Sequence, residues 1–314
     1  MKRQLLLTQF LATPWALMPE HLQAASGVLL RWASGQSASA DVMATVAADR
    51  EARTAKREAN TRAGSGAIAV LPFYGVVTQR EVSDLCGPGS VSTQQFTAVF
   101  REALADDTIG AILIDIDSPG GSVYGTGELA AEILAARGTK PIVAIANSLA
   151  ASAAYWVGCA ASEFYVTPGG EVGSIGVWQA HADYSKALEM EGVDMKLISA
   201  GKYKVEGNPY EPLGEEAEAF MESRVKDYYA TFSQGVSKGR GVSIEQVRNG
   251  MGQGRCLGGD AAVAENMVDG VMTFDEVIKK MQRDMRSSNS APKAVNRSRS
   301  ASLASAELDI LNLG

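Results

Sequence analysis

The stretch 109–117, Ile-Gly-Ala-Ile-Leu-Ile-Asp-Ile-Asp, constrains the fold of this chain more than any other, because it is apolar on both faces of an extended strand. A strand covered on one face alternates polar and apolar residues, whereas one covered on both reads as a nearly continuous run of Ile, Val and Leu. Double cover of this kind belongs to parallel sheets, whose crossover connections lay helices on the faces. Segments 67–77, 141–146, 164–167 and 195–199 have the same β-rich character, and the stretches 127–137, 149–161 and 184–191 between them read as helices. The fold class is therefore α/β, a core of largely parallel strands and helices. After Pro212 the pattern turns helical, with a long segment over 215–237 and shorter ones over 244–250, 260–265 and 274–285. Pro72 places the first strand at a sheet edge or a bulge, since proline donates nothing to a ladder.

Composition divides the 314 residues into three parts. Residues 1–66 are an N-terminal arm and linker, apolar-rich to residue 35 and then dominated by Ala, Ser, Thr and charges without an aromatic residue. Met1-Lys2-Arg3 before Leu5-Leu6-Leu7 opens like a secretory signal. Thr8 and Gln9 break that run, and Pro14 and Pro19 follow, so the segment reads as an ordinary amphipathic arm. Residues 67–285 are the folded domain, and 286–314, rich in Ser, Ala, Asn and Arg, form a flexible tail in which 306–313 could dock as a short helix. Nothing approaches the roughly 18 unbroken apolar residues of a membrane span, so no membrane partner is expected. A net charge of −7 argues against a nucleic-acid surface. Cys86, Cys159 and Cys256 are odd in number and lack CxxC spacing, which speaks against a disulfide framework or a zinc site and fits a reducing compartment.

Three segments carry groups suited to chemistry at the ends of strands, where open α/β sheets put their sites. In Ser118-Pro119-Gly120-Gly121-Ser122-Val123 two glycines let backbone N–H groups face a cleft unobstructed, as an oxyanion hole requires; a tight turn would read the same way. Ser152, in Asn147-Ser148-Leu149-Ala150-Ala151-Ser152-Ala153-Ala154-Tyr155-Trp156, sits near the start of a helix whose small neighbours let a peptide backbone approach; a close-packed helix seam is the plainer reading. Gly201-Lys202-Tyr203-Lys204 follows a β-rich run. A lysine acts as a base only when neutral, which requires burial to bring its pKa from about 10.4 towards 7–8, and an isolated loop lysine is normally solvated. His21 and His181 are the only histidines, and a Ser152–His181 couple is the rival nucleophilic arrangement.

In order, the SPGG turn, the AASxxYW helix, Gly173-Ser174-Ile175-Gly176 and the GxYK segment resemble the signal peptide peptidase A (protease IV) family of Ser–Lys serine proteases, which share a fold with the Clp protease and crotonase group. The likeness covers roughly residues 67–271. Ala180-His181-Ala182-Asp183-Tyr184 and Lys204-Val205-Glu206-Gly207-Asn208-Pro209-Tyr210 are similar to the branch of capsid maturation proteases of lambda-like phages, the minor capsid protein C type. The family usually has glycines after the nucleophile, where this chain has Ala153 and Ala154.

The resemblance implies a serine endopeptidase with Ser152 as nucleophile, Lys204 as general base, and an oxyanion hole from the N–H groups of Gly120 or Gly121 with Ala153. It implies no metal or other cofactor, and an extended substrate paired as an added strand beside the SPGG segment. The expected partners are scaffold, portal or capsid proteins and further copies of the chain, in a homo-oligomer whose active sites are shared between protomers, in the host cytoplasm or inside the procapsid. Self-processing in the small-residue tail at 300–306 is a further expectation. A cellular signal peptide peptidase and an inactive scaffolding protein of the same fold are the alternatives, with a crotonase-like acyl-CoA enzyme more remote.

Overall fold

The long strand predicted at 109–117 is β5 (Ile109–Ser118), buried along its length except at Gly110 and Asp117. It runs parallel to β2 (Ala67–Tyr74) on one side and to β7 (Ile142–Ala151) on the other, with Ile114 opposite Leu71 and Ala144. The structure is a computed structural model and describes residues 14–18, 66–80 and 90–290. Double cover explains the apolar sequence of β5. Ile112, Ile114 and Ile116 face the larger core with Phe96, Phe100, Leu129 and Ile133, while Ala111 and Leu113 face Val277 and Met281 on the opposite side.

The larger core is closed by α1 (Thr93–Ala105), α2 (Thr126–Ala135) and the short α3 (Ala153–Gly158). Ser92 caps α1, its Oγ accepting the Gln95 N–H at 3.3 Å. β2 is the edge strand of its sheet, as Pro72 requires. The first half of β7 pairs in parallel with β8 (Glu163–Val166) and its second half with β9 (Glu171–Gly173). β9 takes β10 (Cys256–Gly258) antiparallel, and β8 takes β11 (Gly270–Val271) parallel. A second, small sheet has the order β1-β6-β3-β4, from β1 (Trp15–Leu17), β6 (Gly120–Ser122), β3 (Val76–Thr78) and β4 (Ser90–Ser92). The chain continues through α4 (Ser185–Met190), the long α5 (Glu215–Arg240), α6 (Ile244–Asn249) and α7 (Gly259–Ala264) to α8 (Phe274–Ser290), which covers the second face and runs on past Met285.

Two sequence expectations fail for physical reasons. Residues 195–199 form no strand: they lie exposed with no sheet partner, and an apolar run without a ladder to join is not a strand. The helix expected from Leu149 begins only at Ala153, because Leu149, Ala150 and Ala151 pair with Glu171, Val172 and Gly173 and so extend β7. Pairing overrides the helix preference of alanine. The expectations for 286–314 beyond Ser290, including self-processing at 300–306, and for Cys86 and most of residues 1–66, fall outside the described residues.

One ion pair, buried on its Arg240 side, ties the helical part to the sheet. Arg240, at the end of α5, donates to both carboxylate oxygens of Asp269 at 2.8 and 3.0 Å and to the Asn266 carbonyl at 2.9 Å, and Asp269 also accepts the Phe164 N–H of β8 at 2.6 Å. Burial pushes the Asp269 carboxyl up, but the Arg240 and Phe164 hydrogen bonds outweigh it and hold the group below its ordinary value. A depressed carboxyl contributes stability above its unfolded pKa and loses it as pH falls through the folded one, so this contribution fades in acid. Asp269→Asn strands the Arg240 guanidinium, which is 8% exposed beside a 38% exposed carboxylate. We expect a loss of about 2–3 kcal/mol, at the low end for a broken pair because Asp269 is partly solvated. A drop of about 5–10 °C in Tm at pH 7 checks it, with a smaller gap between the two proteins below pH 4.

Candidate active site

β5 and β7 end side by side, with Ser118 opposite Ala150, so the turn after β5 and the residue after β7 meet. The residue after β7 is Ser152. Its backbone is at φ 57° and ψ −117°, a region that costs a non-glycine residue about 1–3 kcal/mol and persists only where the surroundings over-determine it. They do so here through two hydrogen bonds: the Ser152 N–H donates to the Gly173 carbonyl at 2.7 Å, and the Ser152 carbonyl accepts the Trp156 N–H at 3.0 Å to start α3. Ser148 and Ser174, which flank this turn in β7 and after β9, also have positive φ. Strain at three serines is a signal the sequence does not carry.

The alanines around Ser152 are closely packed. Ala150, Ala151, Ala153 and Ala154 have no exposed surface, and Ser152 itself is 1% exposed. α3 is anchored by its large residues. The Tyr155 hydroxyl donates to the Met267 carbonyl at 3.0 Å, and the Trp156 ring stacks on Phe232 at 4.8 Å and 13°. Beneath them lies Cys159, whose thiol is pushed by burial up to about 12. Only the thiolate is alkylated, so Cys159 is expected to stay unmodified by iodoacetamide at pH 8 in the folded chain and to react fully once urea unfolds it. Peptide mass mapping reads both states.

Opposite Ser152 stands the SPGG turn. Gly120 has φ 94°, and a β-carbon there would run into the Ala16 carbonyl oxygen and come within 2.9 Å of both the Ala151 oxygen and the Ser152 β-carbon. Glycine is required twice over, for the dihedral and for the approach. Ser118 Oγ donates to the Gly75 carbonyl at 2.6 Å and accepts the Gly120 N–H at 3.2 Å, which locks the turn. Gly121 lies between Val77 of β3 and Ala16 of β1. Ala153 holds the first position of α3, where an N–H has no partner within the helix. Gly120, Gly121, Ser152 and Ala153 are thus brought together at the ends of two adjacent strands.

Lys204 is elsewhere. It lies exposed in a turn of the loop between α4 and α5, its N–H bonded to the Gly201 carbonyl at 3.2 Å, and no hydrogen bond joins it to Ser152 among the described residues. Its neighbour Lys202 forms an ion pair with Glu216 at 2.8 Å. His181 is not joined to Ser152 either; it lines a cavity of about 330 Å³ with Tyr203, Glu206, Phe220 and Met221. Around this loop Met190, Val193, Met195, Leu197, Ile198, Tyr203 and Phe220 are all exposed, an unusual density of large apolar side chains in contact with water. Among the described residues no cluster of His, Cys, Asp or Glu could hold a metal ion, and no helix is long and apolar enough to cross a membrane.

Residues 135–287, which contain Ser152, the GSIG segment and Lys204, match the profile of peptidase family S49. Capsid assembly protease C of Escherichia phage lambda is 33% identical over 226 residues, covering 72% of this chain and 51% of that protein. The family S49 match covers just under half of this chain. Head-tail preconnector protein GP5 of Enterobacteria phage P21 is 31% identical over 232 residues, covering 74% of this chain and 46% of the phage protein. The chain thus spans about half the length of these two relatives. Among solved structures, a point mutant of ClpP1 from Listeria monocytogenes superposes with a TM-score of 0.41 at 14% identity, over 66% of this chain and 92% of that one. That similarity is too low to assign a Clp-type fold.

Proposed function

We propose that this chain is a serine endopeptidase of family S49 in which Ser152 attacks the peptide carbonyl and Lys204 of a neighbouring copy serves as general base, and that it matures phage heads by cutting scaffold, portal or capsid proteins. One observation carries the catalytic reading: a buried serine held in a strained backbone at the end of a central parallel strand, against a two-glycine turn. Sites grafted on such strand ends hold a nucleophile at the price of local strain. The Ser152 Oγ proton passes to the neutral amine as Oγ bonds to the carbonyl carbon, and the Ala153 N–H with that of Gly120 or Gly121 takes the oxyanion. The proton then moves to the leaving amine nitrogen as the C–N bond breaks. Water gives a proton to Lys204 as its oxygen bonds to the acyl carbon, and that proton passes to Ser152 Oγ as the ester C–O bond breaks. The phage role rests on the two phage relatives.

The second copy is supported by where Lys204 sits. A lysine base needs burial, and in the single chain this side chain is exposed on a loop ringed by exposed apolar residues. An interface over Met190, Ile198, Tyr203 and Phe220 would remove those groups from water and carry the amine to another chain's serine. Relatedness to a Clp-type ring or dome belongs to the same reading.

The test is a fluorophosphonate probe on the purified assembly. Stoichiometric labelling at Ser152, seen by peptide mass mapping and lost in Ser152→Ala, is expected. An unlabelled wild type would overturn the nucleophile assignment. Co-expression with a head scaffold protein then addresses the substrate, and cleavage by wild type alone supports the maturation role.

A further inference from the structure

We propose that residues 14–18 are a built-in occupant of the protein's own peptide slot, and that the Trp15-Ala16-Leu17 sequence shows what the slot takes: an extended segment with a small residue between two large apolar ones. This deepens the endopeptidase reading above and rests on it for the location of substrate.

β1 is wedged between two backbones. On one side it pairs antiparallel with β6, the SPGG segment, in the register Trp15 to Ser122, Ala16 to Gly121 and Leu17 to Gly120, and the Met18 N–H donates to the Pro119 carbonyl at 3.2 Å. On the other side the Trp15 N–H donates to the Trp178 carbonyl at 2.9 Å, the Trp178 N–H returns to the Trp15 carbonyl at 3.0 Å, and the Trp178 indole N–H donates to the Leu17 carbonyl at 2.8 Å. Residues 14–18 therefore use alternate positions to satisfy each wall. With the segment gone, the backbone edge of β6 would face the Trp178 N–H, C=O and indole N–H across a gap one strand wide, and a sheet edge exposed in this way captures an extended peptide.

The slot passes over the nucleophile. The Ala16 carbonyl oxygen and the Ser152 β-carbon both press on the same point beside the Gly120 α-carbon. Trp15, Ala16 and Leu17 are buried almost completely, Ala16 without any exposed surface, so the walls fit a small side chain flanked by large apolar ones. An incoming peptide must displace these residues. A tethered strand competes at a high effective concentration, and a site that is open only a fraction of the time weakens apparent binding by that fraction.

The test uses the full chain with Ser152→Ala, so that binding is read without chemistry. The probe is a fluorescent peptide copying residues 12–20, Ala-Thr-Pro-Trp-Ala-Leu-Met-Pro-Glu. Adding Trp15→Asp and Leu17→Asp, which cannot be buried in the slot, is expected to tighten peptide binding at least about tenfold. Affinities within twofold of each other, or no binding to either chain, would overturn the proposal. Hydrogen exchange guards against a variant that does not fold. In the Ser152→Ala chain with its native segment, the Trp15 and Met18 amides should be protected and should lose that protection at saturating peptide; amides that exchange freely from the start, or stay protected, overturn it equally. Fluorophosphonate labelling of the wild type separates the two claims. Labelling with equal peptide affinities removes this inference alone, whereas displacement without labelling removes the nucleophile and leaves the slot.

Discussion

Lys204→Ala is expected to slow peptide hydrolysis by roughly 10³–10⁶-fold while leaving the melting temperature within about 2 °C of wild type. The two halves of this expectation have different causes. Rate falls because Lys204 is the proposed proton acceptor, and His181, the histidine among the described residues, lines a cavity that Ser152 does not. Stability holds because the Lys204 side chain is exposed, and exposed substitutions rarely exceed about 0.5 kcal/mol. Mixing is the sharper measurement. Inactive Ser152→Ala and Lys204→Ala chains, unfolded together and reassembled one to one, should recover about a quarter of wild-type activity if each site draws its serine and its lysine from different copies. Zero recovery, with both variants correctly assembled, would place both groups in one chain or remove the lysine from the reaction.

Gly121→Ala should produce the largest loss of structure from a single methyl group. The added carbon would land within the backbone of Val77, whose carbonyl carbon lies 2.6 Å from the position it must take. A flexible side chain could swing aside; a strand backbone paired on both sides cannot. We expect about 3 kcal/mol of destabilisation, a Tm lower by about 6–12 °C, and fluorophosphonate labelling of Ser152 slowed at least about 100-fold as β6 parts from β3. Gly169→Ala is the control, since nothing lies within 4 Å of its added carbon, and it should change stability by no more than about 0.5 kcal/mol. Thermal melts and labelling rates of the two variants, side by side, decide whether the turn is built on backbone contact.

Much of this protein is legible along the chain, because the signals involved are local. The unbroken Ile, Val and Leu of β5 specify a strand covered on both faces whatever surrounds it, and Pro72 specifies an edge. Pro119-Gly120-Gly121 and the alanines around Ser152 announce close backbone approach, and the serine and the turn do meet. What the chain could not announce are features made by pairing between distant segments. β7 runs on to Ala151 only because β9 lies beside it, and residues 195–199 stay irregular because nothing does. The positive φ of Ser152 is imposed by a hydrogen bond to Gly173. Trp15-Ala16-Leu17, unremarked in a stretch read as an arm, becomes a strand because β6 and Trp178 offer it two unpaired edges. Side-chain type and spacing are written residue by residue, and so the sequence by itself determined the α/β class, the two-glycine turn and the candidate nucleophile. A backbone hydrogen bond takes any residue as partner, and so only the tertiary structure decided where strands end, which serine is strained and which segment lies across it.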